Sequence, residues 1–178
     1  MPFFTYTDKE LHYLSCRDPA LKSIIDRYGR IERETNPDLF SALVDSIIGQ
    51  QISTKAHMTI RGRIIELLGE ITPQTINGCS EDKLQKTGIT FKKAGYIKGI
   101  SAAVASGSLD LLSLTAKSDD EIKKELTVLP GIGVWTAEML MIFSMNRMNI
   151  LSLKDLAIVR GLTRIYNLET INKDTRRC

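Results

Sequence analysis

Val128-Leu129-Pro130-Gly131-Ile132-Gly133-Val134-Trp135-Thr136-Ala137 is the stretch on which the reading of this chain turns. Pro-Gly-Ile-Gly joins two apolar helical segments through a turn in which glycine permits positive φ and a close backbone approach. The turn runs straight into a helix N-terminus, where the first amides have no intrahelical acceptor. The amides around Gly131, Ile132, Gly133 and Val134 therefore suit a small anion, such as one phosphate of a nucleic-acid backbone. A tight αα-hairpin that binds nothing is the other reading of the same residues.

Helical signals continue outward on both sides. Ser118-Asp119-Asp120-Glu121 is a capping box that predicts a helix reaching Thr127. Downstream, Asp155 follows a loop over 148–154 and opens a helix to about Tyr166, with Ile158, Leu162 and Ile165 on one face. Far upstream, Asn36-Pro37-Asp38 pairs a capping residue with proline and starts a helix bearing Phe40, Leu43, Val44, Ile47 and Ile48. Gln50 and Gln51, one turn beyond Ile47, extend that apolar stripe with polar amides, which asks for a partner. A segment over 54–68 turns Ile60, Ile64, Ile65 and Leu68 inward and stops at Gly69. Short helices begin at Thr72-Pro73 and Ser80, and a basic one follows Gly88 with Phe91-Lys92-Lys93-Ala94-Gly95-Tyr96-Ile97-Lys98. Alternating β-branched runs are scarce, so the expected fold class is all-α.

Composition narrows the classes without choosing among them. The 178 residues are 43% hydrophobic and 25% charged, and no window approaches the roughly 18 apolar residues of a membrane span. Disorder, a collagen and a membrane-spanning helix are excluded. Met1 to Tyr13 lacks the basic and apolar regions of a secretory signal, so a cytosolic protein is expected. Cys16, Cys79 and Cys178 form no C-x-x-C pair, which predicts neither a disulfide framework, nor zinc, nor an iron–sulfur cluster. The net charge of +3 permits a polyanionic partner but would equally suit a metabolic enzyme. His12 and His57 lie on polar helix faces with no carboxylate or cysteine partner at ligand spacing and are assigned no role.

Taken jointly, three motifs in order resemble one family. The hairpin residues Leu129 to Ala137 resemble the helix–hairpin–helix signature of base-excision DNA glycosylases, Asp155 lies where that family places its catalytic aspartate, and Ile48-Gly49-Gln50-Gln51-Ile52-Ser53 resembles its first-lobe motif. The match spans about Phe40 to Ile165 and is most like the 3-methyladenine DNA glycosylase II branch. The resemblance implies a two-lobed helical fold: a central lobe over residues 37–118, and a second lobe joining 1–36 to 119–178 with the hairpin and Asp155, the flipped base lying between them.

The same resemblance implies roles. Asp155 would stabilise positive charge on the sugar as the N-glycosidic bond breaks and would orient or deprotonate water; a plain helix cap is the alternative for that residue. Trp135 stands where bifunctional members carry a lysine nucleophile, which implies base removal without strand cleavage. Trp135, Met139 and Leu156 would line the base pocket, although Trp135 also suits simple packing against Asp155's helix. Gln51 would fill the gap left by the flipped nucleotide, with Gln50 beside it, unless both amides cap neighbouring helices. Lys92 or Lys93 would meet a phosphate, a solvated basic face being the alternative. No cofactor is required, but main-chain carbonyls of Thr127, Leu129 and Ile132 would hold a monovalent cation, sodium or potassium. The partner implied is damaged double-stranded DNA bound by a monomer, with alkylated purines as substrate.

Two departures accompany the resemblance. Met139 and Leu156 stand where relatives can place aromatic rings, in a chain that is only 6% aromatic. The sequence also ends at Arg176-Arg177-Cys178, soon after Asp155's helix, where the family continues with further helices; this reads as a fragment, a frameshifted product or a minimal form, with Ile158, Leu162 and Ile165 left exposed. Two other functions fit these residues: a non-catalytic helix–hairpin–helix DNA-binding module, and a glycosylase for a mismatched or deaminated base.

Overall fold

The computed structural model describes residues 2–169 and 171. Its regular structure is helical, with one isolated bridge between Phe3 and Glu34 and no strand among the described residues. The all-α expectation holds. The helices are α1 (Asp8–Arg17), α2 (Pro19–Tyr28), α3 (Leu39–Gly49), α4 (Thr54–Leu68), α5 (Pro73–Gly78), α6 (Glu81–Lys86), α7 (Phe91–Ala105), α8 (Asp119–Val128), α9 (Val134–Phe143) and α10 (Leu156–Tyr166).

Local chemistry sets most boundaries. Side-chain caps begin α4 at Ser53, α5 at Thr72, α6 at Ser80 and α8 at Ser118, the last with a reciprocal capping box to Glu121. Asp38, rather than Asn36, caps α3, because its carboxylate accepts from Ser41 N–H while Pro37 lies before the helix. Asn36 instead accepts from Asp38 N–H, pinning the entry turn. The N-terminal pair α1 and α2, which the sequence reading did not single out, is capped in the same way: Thr7 and Glu10 form a capping box, and Asp18 precedes Pro19 at N1.

The core is built around α3. Leu43, Val44, Ile47 and Ile48 have no exposed surface, and α3 packs on α4, α7 and α9. Ile64, Ile76, Leu84, Ile97, Ile100, Ile122, Leu126 and Met141 extend the same cluster. Every helix from α3 to α9 contributes at least one buried side chain, whereas α1, α2 and α10 contribute none. On α10 Ile158 is 40% exposed, while Leu162 and Ile165 are half-buried. Polar ties attach this flank: Tyr166 donates its hydroxyl to Asp18 Oδ2, joining α10 to the start of α2. Arg30 donates to Tyr6 O and Asp8, and Thr5 and Asn146 exchange a pair of hydrogen bonds. The terminal Arg176-Arg177-Cys178 lies outside the described residues. No helix among the described residues is long and apolar enough to cross a membrane.

Candidate active site

The hairpin between α8 and α9 requires both its glycine and its neighbour. Gly131 has φ +85°, and a Cβ there would overlap the Tyr96 ring of α7, so two independent constraints exclude a larger residue. Ile132 is buried, and its amide donates to Leu129 O. That bond corrects the expectation that Ile132 N–H is free for an anion. The amides of Gly133 and Val134 have no protein acceptor among the described residues, and α9 has no side-chain cap, so its N-terminus keeps an open donor pair.

Asp155 sits at the N-cap of α10. Its Oδ1 accepts from the amides of Ala157 and Ile158 at 2.8 and 3.2 Å, and its Oδ2 accepts from Trp135 Nε1 at 2.9 Å. The indole N–H holds the Asp155 carboxyl below the usual carboxylate range, against partial desolvation, and the Ile158 and Ala157 amides add to the effect. The group is therefore an anion at neutral pH, fixed from two helices at once. Support comes from behind: Ser152 is buried, donates its hydroxyl to Glu138 of α9 at 2.6 Å, and accepts Asp155 N–H through its carbonyl. Trp135 thus does more than pack or stack, since it positions the carboxylate. Neither the spacing of residues 135 and 155 nor their types showed this bond in advance.

The remaining sequence expectations divide. Met139, one turn along α9 from Trp135, lines a cleft of about 320 Å³ with Asp45 and Ser46 of α3. Leu156 is 69% exposed, and neither it nor Trp135, which is 44% exposed, lines that cleft. A larger groove of about 760 Å³, apolar in character, lies between α1, α2, the end of α9 and the start of α10, and its lining includes Ile158, whose amide donates to Asp155.

Gln50 and Gln51 do not extend the apolar stripe, because α3 ends at Gly49 and both residues form the turn that follows. Gln50 Nε2 donates to Gly131 O at 2.7 Å and ties the two motifs together. Gln51 is exposed with φ +58°, a conformation that costs a non-glycine residue of order 1 kcal/mol and marks the turn as constrained. Lys93 also departs from expectation: its ammonium donates to Ile48 O at 2.8 Å and Gln50 O at 2.6 Å, closing the C-terminus of α3. Partial burial holds its pKa below the usual lysine value. Lys93 is thus an internal cap, and Lys92 is the exposed lysine of the pair, its ammonium 5.8 Å from the Tyr96 ring centre.

The histidines require a correction too. His57 is half-buried with Nε2 3.8 Å from Asp45 Oδ1, and His12 lies 3.4 Å from the Cys16 thiol at i,i+4 spacing. At the hairpin, the Thr127 and Ile132 carbonyls accept no hydrogen bond among the described residues and Leu129 O accepts one, so this set of oxygens is compatible with a monovalent cation.

A helical hairpin with uncapped amides beside a carboxylate held across two helices defines a helix–hairpin–helix protein with an ionised carboxylate at its hairpin. The chain belongs to the HhH-GPD superfamily of base excision DNA repair proteins, whose family model matches residues 44–177. A DNA-3-methyladenine glycosidase of Bacillus halodurans has the same fold, with 34% identity and a TM-score of 0.85 over 93% of this chain and 77% of that one. The 3-methyladenine DNA glycosylase of Schizosaccharomyces pombe, solved in complex with abasic DNA, matches at 29% identity and TM-score 0.78 over 96% of this chain and 85% of its own. A DNA-3-methyladenine glycosylase of Saccharomyces cerevisiae is 28% identical over 167 residues, 83% of this chain and 56% of the relative. The chain likewise spans 55% of the length of a Bacillus subtilis relative.

Proposed function

We propose that this chain is a monofunctional DNA glycosylase of the 3-methyladenine glycosylase II type, which binds damaged double-stranded DNA as a monomer and hydrolyses the N-glycosidic bond of alkylated purines. The observation that carries this is the Asp155 carboxylate, kept ionised and aimed by the Trp135 indole beside the open amides of α9. Such an anion is the electrostatic device needed where positive charge develops on the sugar. Methylation at N3 or N7 makes the base cationic and a good leaving group, so one carboxylate suffices without a separate general acid. The same carboxylate accepts a proton from the attacking water.

The hairpin amides of Gly133 and Val134 hold one backbone phosphate, and Lys92 adds a screened charge. Gln51, presented by its constrained turn, takes the place of the flipped nucleotide in the stack. A monovalent cation held by the carbonyls of Thr127, Leu129 and Ile132 would neutralise part of that phosphate's charge. Residues 37–118 form one lobe and residues 1–36 with 119–178 the other, with the base held between them. A tryptophan at residue 135 supplies no amine for a Schiff base, so the phosphodiester stays intact.

Incubating the purified chain with methylated duplex DNA, and assaying free base and strand nicks separately, tests the reading. Base release without nicking is expected, with salt-sensitive binding. Nicking coupled to release contradicts the monofunctional assignment, and salt-sensitive binding without release replaces it with a DNA-binding module.

A further inference from the structure

Helix α9 carries a single charged residue in an apolar stretch, Glu138 in Val134-Trp135-Thr136-Ala137-Glu138-Met139-Leu140-Met141-Ile142-Phe143. It is half-buried and lies beyond the first turn, so neither solvation nor the helix dipole accounts for an acid there. Its hydrogen-bond partner is Ser152, in the loop that leads to Asp155, whose hydroxyl donates to Glu138 Oε2 at 2.6 Å. The partly buried Asp45 is neutralised by Arg61, whose Nε donates to both of its oxygens at 2.9 and 3.0 Å. Among the described residues no lysine, arginine or histidine forms such a pair with Glu138. The loop is also inverted in polarity, since Leu151 is 59% exposed and Ser152 only 2%. A loop that exposes a leucine to bury a serine sets local preference against structure, a conflict that concentrates at functional sites. Ser152 is held at both its ends, its hydroxyl by Glu138 and its carbonyl by the Asp155 N–H, which donates to it at 3.1 Å. Trp135, three residues before Glu138 and on the same side of α9, donates to Asp155 Oδ2. The helix therefore grips Asp155 twice, at its carboxylate through Trp135 and at its backbone through Glu138 and Ser152.

Resting on the glycosylase reading, we propose that Glu138 is a positioning residue for catalysis, which acts through Ser152 to hold the turn over 152–155 and so aims the Asp155 carboxylate at the sugar. Glu138 makes no hydrogen bond to that carboxylate. What it passes on is a hydrogen bond rather than a charge, so another acceptor of equal reach at residue 138 serves as well. Without an acceptor there, the Ser152 hydroxyl is buried with no partner and the turn shifts to satisfy it. Asp155 moves with the turn, because its amide is bonded to the Ser152 carbonyl. A displacement of about 1 Å at a reacting group costs on the order of a hundredfold in rate. Asn146 and Arg147 anchor the earlier part of the loop, Asn146 by exchanging hydrogen bonds with Thr5 and Arg147 by donating to Thr115 O and Lys117 O. No hydrogen bond among the described residues joins either of them to residues 152–155, so they separate holding the loop from aiming the carboxylate.

The test measures single-turnover base release from methylated duplex DNA, DNA affinity and thermal unfolding for the wild-type chain, Glu138→Ala, Glu138→Gln, Ser152→Ala and Asn146→Gly. Glu138→Ala and Ser152→Ala should each release base roughly 10- to 100-fold more slowly, with DNA affinity within about twofold of wild type. Combining them should slow release no further, because both remove one bond. Glu138→Gln keeps an acceptor for the Ser152 hydroxyl and should stay within about threefold of wild type. Asn146→Gly loses both Thr5 bonds while glycine accepts φ +54°, so it should lower Tm and leave the rate within about twofold. Trp135 is the chain's single tryptophan, so its emission reports the bond to Asp155 without turnover. The pH midpoint of that emission should move up, towards the ordinary carboxylate value, in Glu138→Ala and Ser152→Ala and stay in place in Glu138→Gln. Should Glu138→Ala fail to fold, the smaller change Ser152→Ala carries the same comparison. Equal losses in Glu138→Ala and Glu138→Gln, a loss as large in Asn146→Gly, or an unmoved midpoint overturns the proposal. A wild-type chain that releases no base refutes the glycosylase reading and the catalytic role with it. A wild-type chain whose rate Glu138→Ala and Ser152→Ala leave unchanged refutes this proposal alone.

Discussion

The seven helices α3 to α9 and the flank of α1, α2 and α10 are held by different forces. The first set buries a continuous apolar cluster in which many side chains have no exposed surface, while the flank buries no residue fully and is joined by hydrogen bonds such as Tyr166 to Asp18 and Arg30 to Tyr6. Asp155 stands on the seam, heading α10 but gripped by Trp135 of α9. Burial is non-directional and gives stability, whereas hydrogen bonds are directional and place a functional group with little energy. Stability and catalysis should therefore be separable by mutation on the two sides of this seam.

The sharpest contrast compares two isoleucines. Ile97→Ala on α7 should cost about 2–5 kcal/mol in chemical denaturation, because a closed core site keeps its cavity. Ile158→Ala on α10, 40% exposed, should cost under about 1 kcal/mol. Equal costs would erase the distinction between the regions. Next in size is Gly131→Ala, which forces a side chain into positive φ and into the Tyr96 ring. It should destabilise by about 1–3 kcal/mol and weaken DNA binding together.

Trp135→Phe sharpens the comparison from the functional side. Removing the indole N–H should reduce base release by roughly tenfold with little change in stability. It should also raise the Asp155 pKa, moving the acid limb of the pH–rate profile upward. The sign follows from the depressed native pKa: its contribution to stability is present above the unfolded value, roughly 3.9, and is lost as pH falls through the native one. An acid limb in Trp135→Phe identical to wild type would show that the indole does not set the charge. The smallest effect belongs to Tyr166→Phe. The Asp18 bond pushes the Tyr166 pKa up to about 12, so its contribution is present below the ordinary tyrosine value and fades as pH rises through that higher one. A slight fall in Tm that vanishes in strong alkali is expected.

Elements with local signals were readable in the sequence, and contacts between distant residues were not. Caps at Ser118, Thr72 and Asp155 and the stop at Gly69 follow from neighbouring residues alone, so the order of helices from α3 onward was legible, while α1 and α2 were missed. Periodicity carried α3 one turn too far, because nothing local announced that Gln50 would turn to meet Gly131, 81 residues away. Lys93 and Lys98 looked like one basic face, yet both ammonium groups close helix C-termini, Lys93 on α3 and Lys98 on the carbonyls of Ile76, Asn77 and Cys79. A positive side chain at such a position is invisible until the helix it caps has been placed. The Trp135–Asp155 bond and the Asp45–Arg61 pair are of the same kind: the residues were present in the pattern, but their pairing needs three dimensions.

Asp155→Asn tests the central claim most directly, because Asn is as good a helix N-cap as Asp and removes the charge together with the acceptor that the Trp135 indole uses. The measurement is single-turnover release of base from methylated duplex DNA by both chains, with thermal unfolding recorded in parallel. A fall of roughly a hundredfold or more in rate at nearly unchanged Tm is predicted. Wild-type rates in the variant, or a loss that merely tracks unfolding, would contradict the assignment of the Asp155 carboxylate as the catalytic group.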